Sequence, residues 1–571
     1  MKFKFFGWLS VFLLIFFFTK FANATVYMDI DNDGQNEPCY IVDQNHPNAS
    51  NSWTREQNNE EHPWKDAWYG AQQLYPGDVL LIKAGYYFRY TGHRYLPGIM
   101  PSRSGTKENP IIIKAYPGDD VYILGGIENG EPTLETSPTL FKNPAIGTFG
   151  KDYIIIDGFK IYGAATLWST TGSIIQNCEI WGGNDKEFGC CIRLEWANEC
   201  KIRNNIVHDN VIAGDGSGGP ANCPLLMEYD SSNCIIENNY FYNSVGPGIK
   251  LKDHPVNIHV RYNIISNCSL AGVRSCNQDN PNNDNSIYVY QNIIKECREG
   301  VALNVSHLTY AWIYNNVFYN NGAGIKLWLT GIQEVYIYNN IIKNCSSRAD
   351  LVVTDDPVLS VTELNYNDYH SSSPKWEVKW RIVAKSLDEW KSWLSDNGYM
   401  NKDTNSIADD PLFVNPEAGD FHLEENSPCR NTGKDGVNMG CYITGDEIIG
   451  PILNQGPQVS NESPARNATD VPRNTNISFD ITDSDGVDQS SISVSVNGNN
   501  VTSSCTITAI SNGFHILYDP PQDFSYGQTV TVTISASDTQ GNTTNDSWSF
   551  TIQQQQQANV PGSPTITKVN D

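Results

Sequence analysis

IHVRYNIISNC (258–268) and IYVYQNIIKEC (287–297) share one pattern, and four further copies surround them: CKIRNNIVHDN (200–210), CIIENNYFYNS (234–244), AWIYNNVFYNN (311–321) and VYIYNNIIKNC (335–345). Aligned, they place Asn205, Asn239, Asn263, Asn292, Asn316 and Asn340 in one column, with spacings of 34, 24, 29, 24 and 24 residues. A period in this range marks a solenoid whose units bury their apolar faces only against their neighbours. Ile258-x-Val260 and Ile287-x-Val289 alternate with period two, so the units are built from strands, not helices. Short strands joined by asparagine-marked turns describe a right-handed parallel β-helix; the leucine consensus of a leucine-rich horseshoe is missing. The asparagines can hydrogen-bond from coil to coil, as stacked asparagine ladders do.

Five residues beyond the column stand Asn210, Ser244, Cys268, Cys297, Asn321 and Cys345. Parallel strands ~4.8 Å apart would stack them, so Cys268 and Cys297 read as small buried core thiols, with a disulfide or metal site as the alternatives. The chain has 14 cysteines. Cys429 and Cys441 sit in the irregular C-terminal closure and are the better disulfide candidates.

An open solenoid end exposes unpaired backbone and needs a cover. HPWKDAWYGAQQL (62–74) reads as a short amphipathic helix that plugs the N-terminal end, ahead of a strand over 78–83. Ser386 with Asp388 and Glu389 reads as the capped start of a second helix at the other end. Beyond Gly450 the composition shifts to Ser, Thr, Asn and Val, with alternating runs such as ISFDI, SISVSV and TVTVTISAS. Residues 456–553 therefore read as a β-sandwich, and 554–571 as a flexible tail. Residues 1–24, with Lys2 and Lys4 before the apolar run 5–18 and Ala22-Asn23-Ala24 at its end, read as a secretory leader. The fold class is all-β: a β-helix over 25–447 with short capping helices, then the sandwich. The product is secreted, extracellular or held at the cell surface, with no membrane insertion once the leader is cleaved.

The 571 residues carry 38 Lys+Arg against 64 Asp+Glu, a formal charge of −26. That excludes a general nucleic-acid binder, which needs a basic face for the phosphates. Against this background one column is basic. Alternate residues of the strands at 191–195, 225–228, 248–252, 273–276, 300–304 and 324–328 point outward. One outward column reads Arg193, Leu226, Lys250, Arg274, Ala302, Lys326, and the next reads Glu195, Glu228, Lys252, Cys276, Asn304, Trp328. An anionic polysaccharide lying along the solenoid would meet the cations, and Trp328 could stack on a sugar ring. The same pattern also describes a solvated salt-bridge ladder around Glu228, Lys252 and Asp253.

Two segments carry a resemblance. PGDVLLIKAGYY (76–87) with GTKENPIIIKAYPG (105–118), and DPLFVNPEAGDFHL (410–423) with Ser427-Pro428-Cys429, resemble secreted, pectate-lyase-like parallel β-helix carbohydrate-active proteins. Ser535–Asn542 followed by Trp548–Ile552 resembles bacterial Ig-like modules, which space, anchor or bind, here a cell surface or matrix. Lys252 and Arg274 are similar to the lysine–arginine pair of β-helix lyases related to chondroitinase B and alginate lyases. Gly246-Pro247-Gly248-Ile249-Lys250-Leu251 resembles the lysine strand of a pectate lyase family. The first resemblance implies calcium-binding carboxylates just before the lysine, where this chain has Ser244, Val245 and Pro247; the second implies an aspartate cluster on the preceding coils, which this chain lacks.

Three functions stay open on these residues. A lyase cleaving uronate chains by β-elimination would use Lys250 or Lys252 as base, its ammonium disfavoured by neighbouring cations, with Arg274 beside it. A glycoside hydrolase would use Glu195 and Glu228, stacked on adjacent coils near the ~5 Å separation of retaining enzymes. A non-catalytic adhesin would only bind glycan, with the loop 215–224 shaping an edge. His254 is a candidate donor or a turn residue before Pro255. Asn304, Lys326 and Trp328 line the strip as substrate contacts with Arg193. Separately, Asp29, Asp31 and Asp33 with Gly34 are spaced as in a calcium loop, with Glu37 the nearest substitute for the glutamate that Tyr40 replaces; the same run also reads as a simple acidic turn.

Overall fold

The computed structural model describes residues 26–28 and 37–555, except 138–139, 184–189, 211–222, 277–285, 306–309, 330–333, 346–347, 355, 452–455, 484–485, 511 and 539–542. The leader, the acidic run 29–36 and the tail from 556 lie outside them, as does most of the loop 215–224.

The chain winds into a right-handed three-sided solenoid, the hand that parallel strand–crossover–strand connections take. One sheet has 13 strands and the other two have 11 each; within the coils neighbouring strands are parallel and in register. The widest sheet face is formed by the longest strands, among them Cys190–Asn198, Cys223–Glu228, Ile249–Lys252, Ala271–Cys276, Glu299–Val305 and Ala323–Leu329. Their inward residues, such as Ile192, Leu225, Ile249, Val273, Val301 and Ile325, fill a continuous core with less than about 2% exposure.

The paired asparagines explain the repeat. Asn204, Asn238, Asn315 and Asn339 take left-handed backbone, φ 52–59°, which asparagine tolerates better than most residues because its side chain bonds locally. That turn swings the following asparagine inside. There the backbone N–H of Asn205 donates to Oδ1 of Asn239 at 3.0 Å, Asn239 to Asn263 at 3.0 Å, and Asn316 to Asn340 at 3.1 Å. Asn239 Nδ2 donates in turn to the carbonyls of Ile202 and Glu237, 2.9 Å each. The ladder runs one coil further than the aligned phrases show, through Asn367, whose N–H ends on Ser406 Oγ at 2.9 Å.

The N-terminal plug is a helix over Ala67–Gln73, capped by Asp66, which accepts from the Trp68 and Tyr69 N–H groups. Trp64, Ala71 and Leu74 join the core, so HPW belongs to the plug but not to its helix. At the far end Ser386 caps Leu387–Asp396, and Trp390 stacks on Trp376 at 6.0 Å. Buried Asp403 accepts from Trp390 Nε1 at 2.8 Å and Ser406 Oγ at 2.6 Å.

The irregular C-terminal closure is a return strap. Residues 407–450 run back along the outside of the solenoid. Phe413, Phe421, Met439 and Cys441 cover Ile293, Val317 and Ile341. Asn315 Nδ2 donates to the Asn438 and Gly440 carbonyls at 3.1 Å, Gly440 N–H to Asn339 O at 2.8 Å, and Gly450 N–H to Tyr262 O at 2.7 Å. Gly440 has φ +85°, and a Cβ there would lie 2.8 Å from Ile341 Cδ1. Cys429 and Cys441 are both free thiols, against the disulfide expected of them: Cys429 Sγ bonds to Asp368 Oδ2 at 3.5 Å, and Cys441 is packed in the strap core. Cys268 and Cys297 are buried core thiols, as the alignment predicts.

The second domain is a sandwich of two four-stranded antiparallel sheets. Its own core includes Phe479, Ile516, Val532, Trp548 and Phe550. Among the described residues no helix is long and apolar enough to cross a membrane.

Candidate functional site

The long-strand face carries both expected columns. Register pairs Leu226 with Lys250, Lys250 with Arg274, Arg274 with Ala302 and Ala302 with Lys326. It also pairs Glu195 with Glu228, Lys252 with Cys276, Cys276 with Asn304 and Asn304 with Trp328. Gly248, ahead of Lys250, lets consecutive coils close up: a Cβ there would stand 2.8 Å from the Gly272 carbonyl and 2.5 Å from Ile265.

The columns then divide by what their side chains touch. At the N-terminal end Arg193 turns down the strip, because Leu226 occupies the next place in its column, and it pairs with both Glu195 and Glu228. Arg193 is therefore a buried structural cation and not an open contact, which corrects its expected role. Glu195 and Glu228 are 1% and 3% exposed. Burial, opposed by Arg193 and reinforced by Glu228, raises the Glu195 carboxyl to about 8. Lys252 reaches Glu228 at 3.3 Å and Asp253 at 2.8 Å. Its partial burial favours the neutral amine, but the two carboxylates outweigh that and hold it above the ordinary lysine range. Lys252 is thus locked as an ammonium, the opposite of the expected base.

Lys250 and Arg274 differ. Both are half-buried, on adjacent rungs, and neither makes an ion pair or hydrogen bond with a described residue. Cys276 lies among them: Lys250, Arg274 and Lys252 all favour its thiolate, yet burial outweighs them and keeps the thiol above the usual range. His254 takes a left-handed turn, φ 69°, and faces Asp230 at 3.3 Å, which fits the turn reading.

Aromatic residues flank this centre. Trp168, in register with Glu195, sits 5.5 Å from Trp196, which stacks on Tyr229 at 4.9 Å. Lys252 Nζ lies 5.6 Å from the Tyr229 ring centre. At the other end Trp328 meets Trp380 edge to face at 5.6 Å, with Lys326 Nζ 5.8 Å and 5.9 Å from the two rings. Lys326 also pairs with Glu299 at 3.4 Å, and half-buried Asn304 lies in the Trp328 column. Sequence reasoning found Trp328 but missed Trp196, Tyr229 and Trp380. The signal was present: Trp196 and Tyr229 each follow an acidic column residue by one place.

The calcium expectation rests on the N-terminal acidic run. Asp29, Asp31, Asp33 and the Glu37 side chain lie outside the described residues. Among the described residues no group of three or more His, Cys, Asp or Glu could hold a metal ion.

Comparison with known proteins agrees with this architecture. A family model described as "Periplasmic copper-binding protein (NosD)" matches residues 149–370, and one described as "Bacterial Ig-like domain" matches residues 454–552. No curated protein matches the sequence. Among solved structures, pectate lyase Pel9A is 13% identical with a TM-score of 0.51, over 71% of this chain and 96% of that one. The A-module of the Azotobacter vinelandii mannuronan C-5 epimerase AlgE4 is 16% identical with a TM-score of 0.35, over 53% of this chain and 82% of that one. A mannuronic acid specific polysaccharide family 6 lyase from human gut microbiota is 15% identical with a TM-score of 0.30, over 53% and 71%. At such identities the likeness to Pel9A is one of fold.

Proposed function

We propose that this chain binds an anionic polysaccharide along the long-strand face of an exported β-helix and cleaves it by β-elimination at Lys250 and Arg274. The observation that carries the reading is this adjacent cation pair, half-buried and unmatched by any described carboxylate in a chain of net charge −26. Such a pair attracts an acidic ligand and loses little on binding it. In the reaction Arg274 engages the uronate carboxylate, which acidifies C5–H. Lys250, once it has passed its ammonium proton to water, takes the C5 proton. The electron pair forms C4=C5 as the C4–O bond breaks, and the leaving oxygen takes a proton from water.

The hydrolase reading is weaker. Its glutamates are sealed from solvent, and Glu228 is committed to Arg193 and Lys252. The test is digestion of uronate polymers followed by both ultraviolet absorbance of the unsaturated product and new reducing ends. Absorbance that vanishes in Lys250→Ala supports elimination. Reducing ends without absorbance, lost in Glu228→Gln, would replace it with hydrolysis. Retention of polymer without turnover would leave a binding protein, the sandwich then serving as its spacer.

A further inference from the structure

The two aromatic groups stand at opposite ends of the cation pair, and their placement fixes more than the chemistry. Counting along the long-strand face, Trp196 lies in the strand Cys190–Asn198, and Trp328 lies in Ala323–Leu329. Between those strands lie Cys223–Glu228, Ile249–Lys252, Ala271–Cys276 and Glu299–Val305. Five steps of ~4.8 Å put the aromatic groups ~24 Å apart, about the length of five pyranose units in an extended chain. Lys250 and Arg274 occupy the two central rungs. Trp196 and Trp328 are 45% and 43% exposed, and Trp380 is 55% exposed. The apolar side of a sugar ring packs on such surfaces while its hydroxyls stay in water.

We infer that Trp196 with Tyr229, and Trp328 with Trp380, are two sugar-binding clamps that make the site an internal cutter of chains about five units or longer. This inference rests on the reading of the face as a polysaccharide site and adds the substrate's length and direction. The chain lies parallel to the solenoid axis, its scissile bond near the middle. The ligand is acidic at its centre, over Lys250 and Arg274. The cations at the second clamp, Lys326 and Arg348, are already matched by Glu299 and Glu377, so that end holds a ring by contact more than by charge.

The test uses the full chain with defined galacturonate and mannuronate oligomers of two to eight units. Binding is followed by tryptophan fluorescence on Lys250→Arg protein, which keeps the positive charge but cannot act as the base, so that turnover does not enter. Affinity is expected to climb with length and level off once both clamps are spanned. Trp196→Ala and Trp328→Ala should each lower affinity for the longest oligomers at least ~10-fold and leave that for the shortest unchanged at the other clamp. Active protein should release internal fragments from polymer, read by mass spectrometry. Affinity independent of length, or unaltered in both tryptophan variants, or absent for every oligomer, overturns the clamps. Length-dependent binding with no elimination by the native chain would overturn the lyase reading and leave the clamps standing.

Discussion

The long-strand face and the strapped corner belong to the same coils, built on one backbone repeat, yet they treat their outward residues in opposite ways. At the corner the outward positions are Ile293, Val317 and Ile341, and residues 407–450 close over them. On the face they are Lys250, Arg274, Lys326 and the exposed tryptophans, and no described segment of the chain closes over those rings. Packing explains the first set completely. It gives no reason for the second, where two cations lie side by side without described partners. Where a repeat leaves positions free of structural duty, what fills them reports on a ligand.

That contrast can be broken or sharpened in four ways, from the largest expected effect to the smallest. Lys250→Ala should reduce elimination at least ~100-fold while the unfolding midpoint stays unchanged; a parallel loss of stability would place Lys250 with the corner as a structural residue. Asn316→Ala should do the reverse. It strips partners from the buried N–H of Asn292 and the carbonyl of Val289, so urea unfolding should register a loss of about 3 kcal/mol. Gly440→Ala strains a left-handed turn against Ile341 and should destabilise by about 2 kcal/mol, with activity at saturating polymer retained. The smallest effect is a slope with pH, at most about 1.4 kcal/mol per pH unit. Glu195 holds in the native state a proton that the unfolded chain releases, so its contribution to stability falls as pH rises from about 4.5 to about 8. Glu195→Gln should flatten that decline in urea midpoints measured across the window; an unchanged slope would mean the carboxyl is not raised.

Much of this was readable in the sequence because in-register stacking turns alignment into geometry. Once Asn205 to Asn340 are superposed, the neighbours of Lys250 follow by counting, and the register confirms them. Counting fails where a side chain leaves its own column. Arg193 does so because Leu226 offers it nothing, and the glutamates it then meets lie in the next column. Trp196 and Tyr229 escaped for a related reason: each takes a left-handed turn, φ 47° and 52°, one step past the alternation that assigns in and out. The strap was invisible because its contacts join residues as distant as Asn238 and Gly450 and follow no period.

The bond from Asn238 to Gly450 bears on mechanics. The sandwich follows Gly450 in sequence, so tension arriving from it enters the solenoid at the Asn238 and Tyr262 coils, part-way along, instead of at the last coil. A bare stack tugged at its tip would unzip turn by turn. This one is loaded across several rungs at once, through the strap that packs on Ile293, Val317 and Ile341.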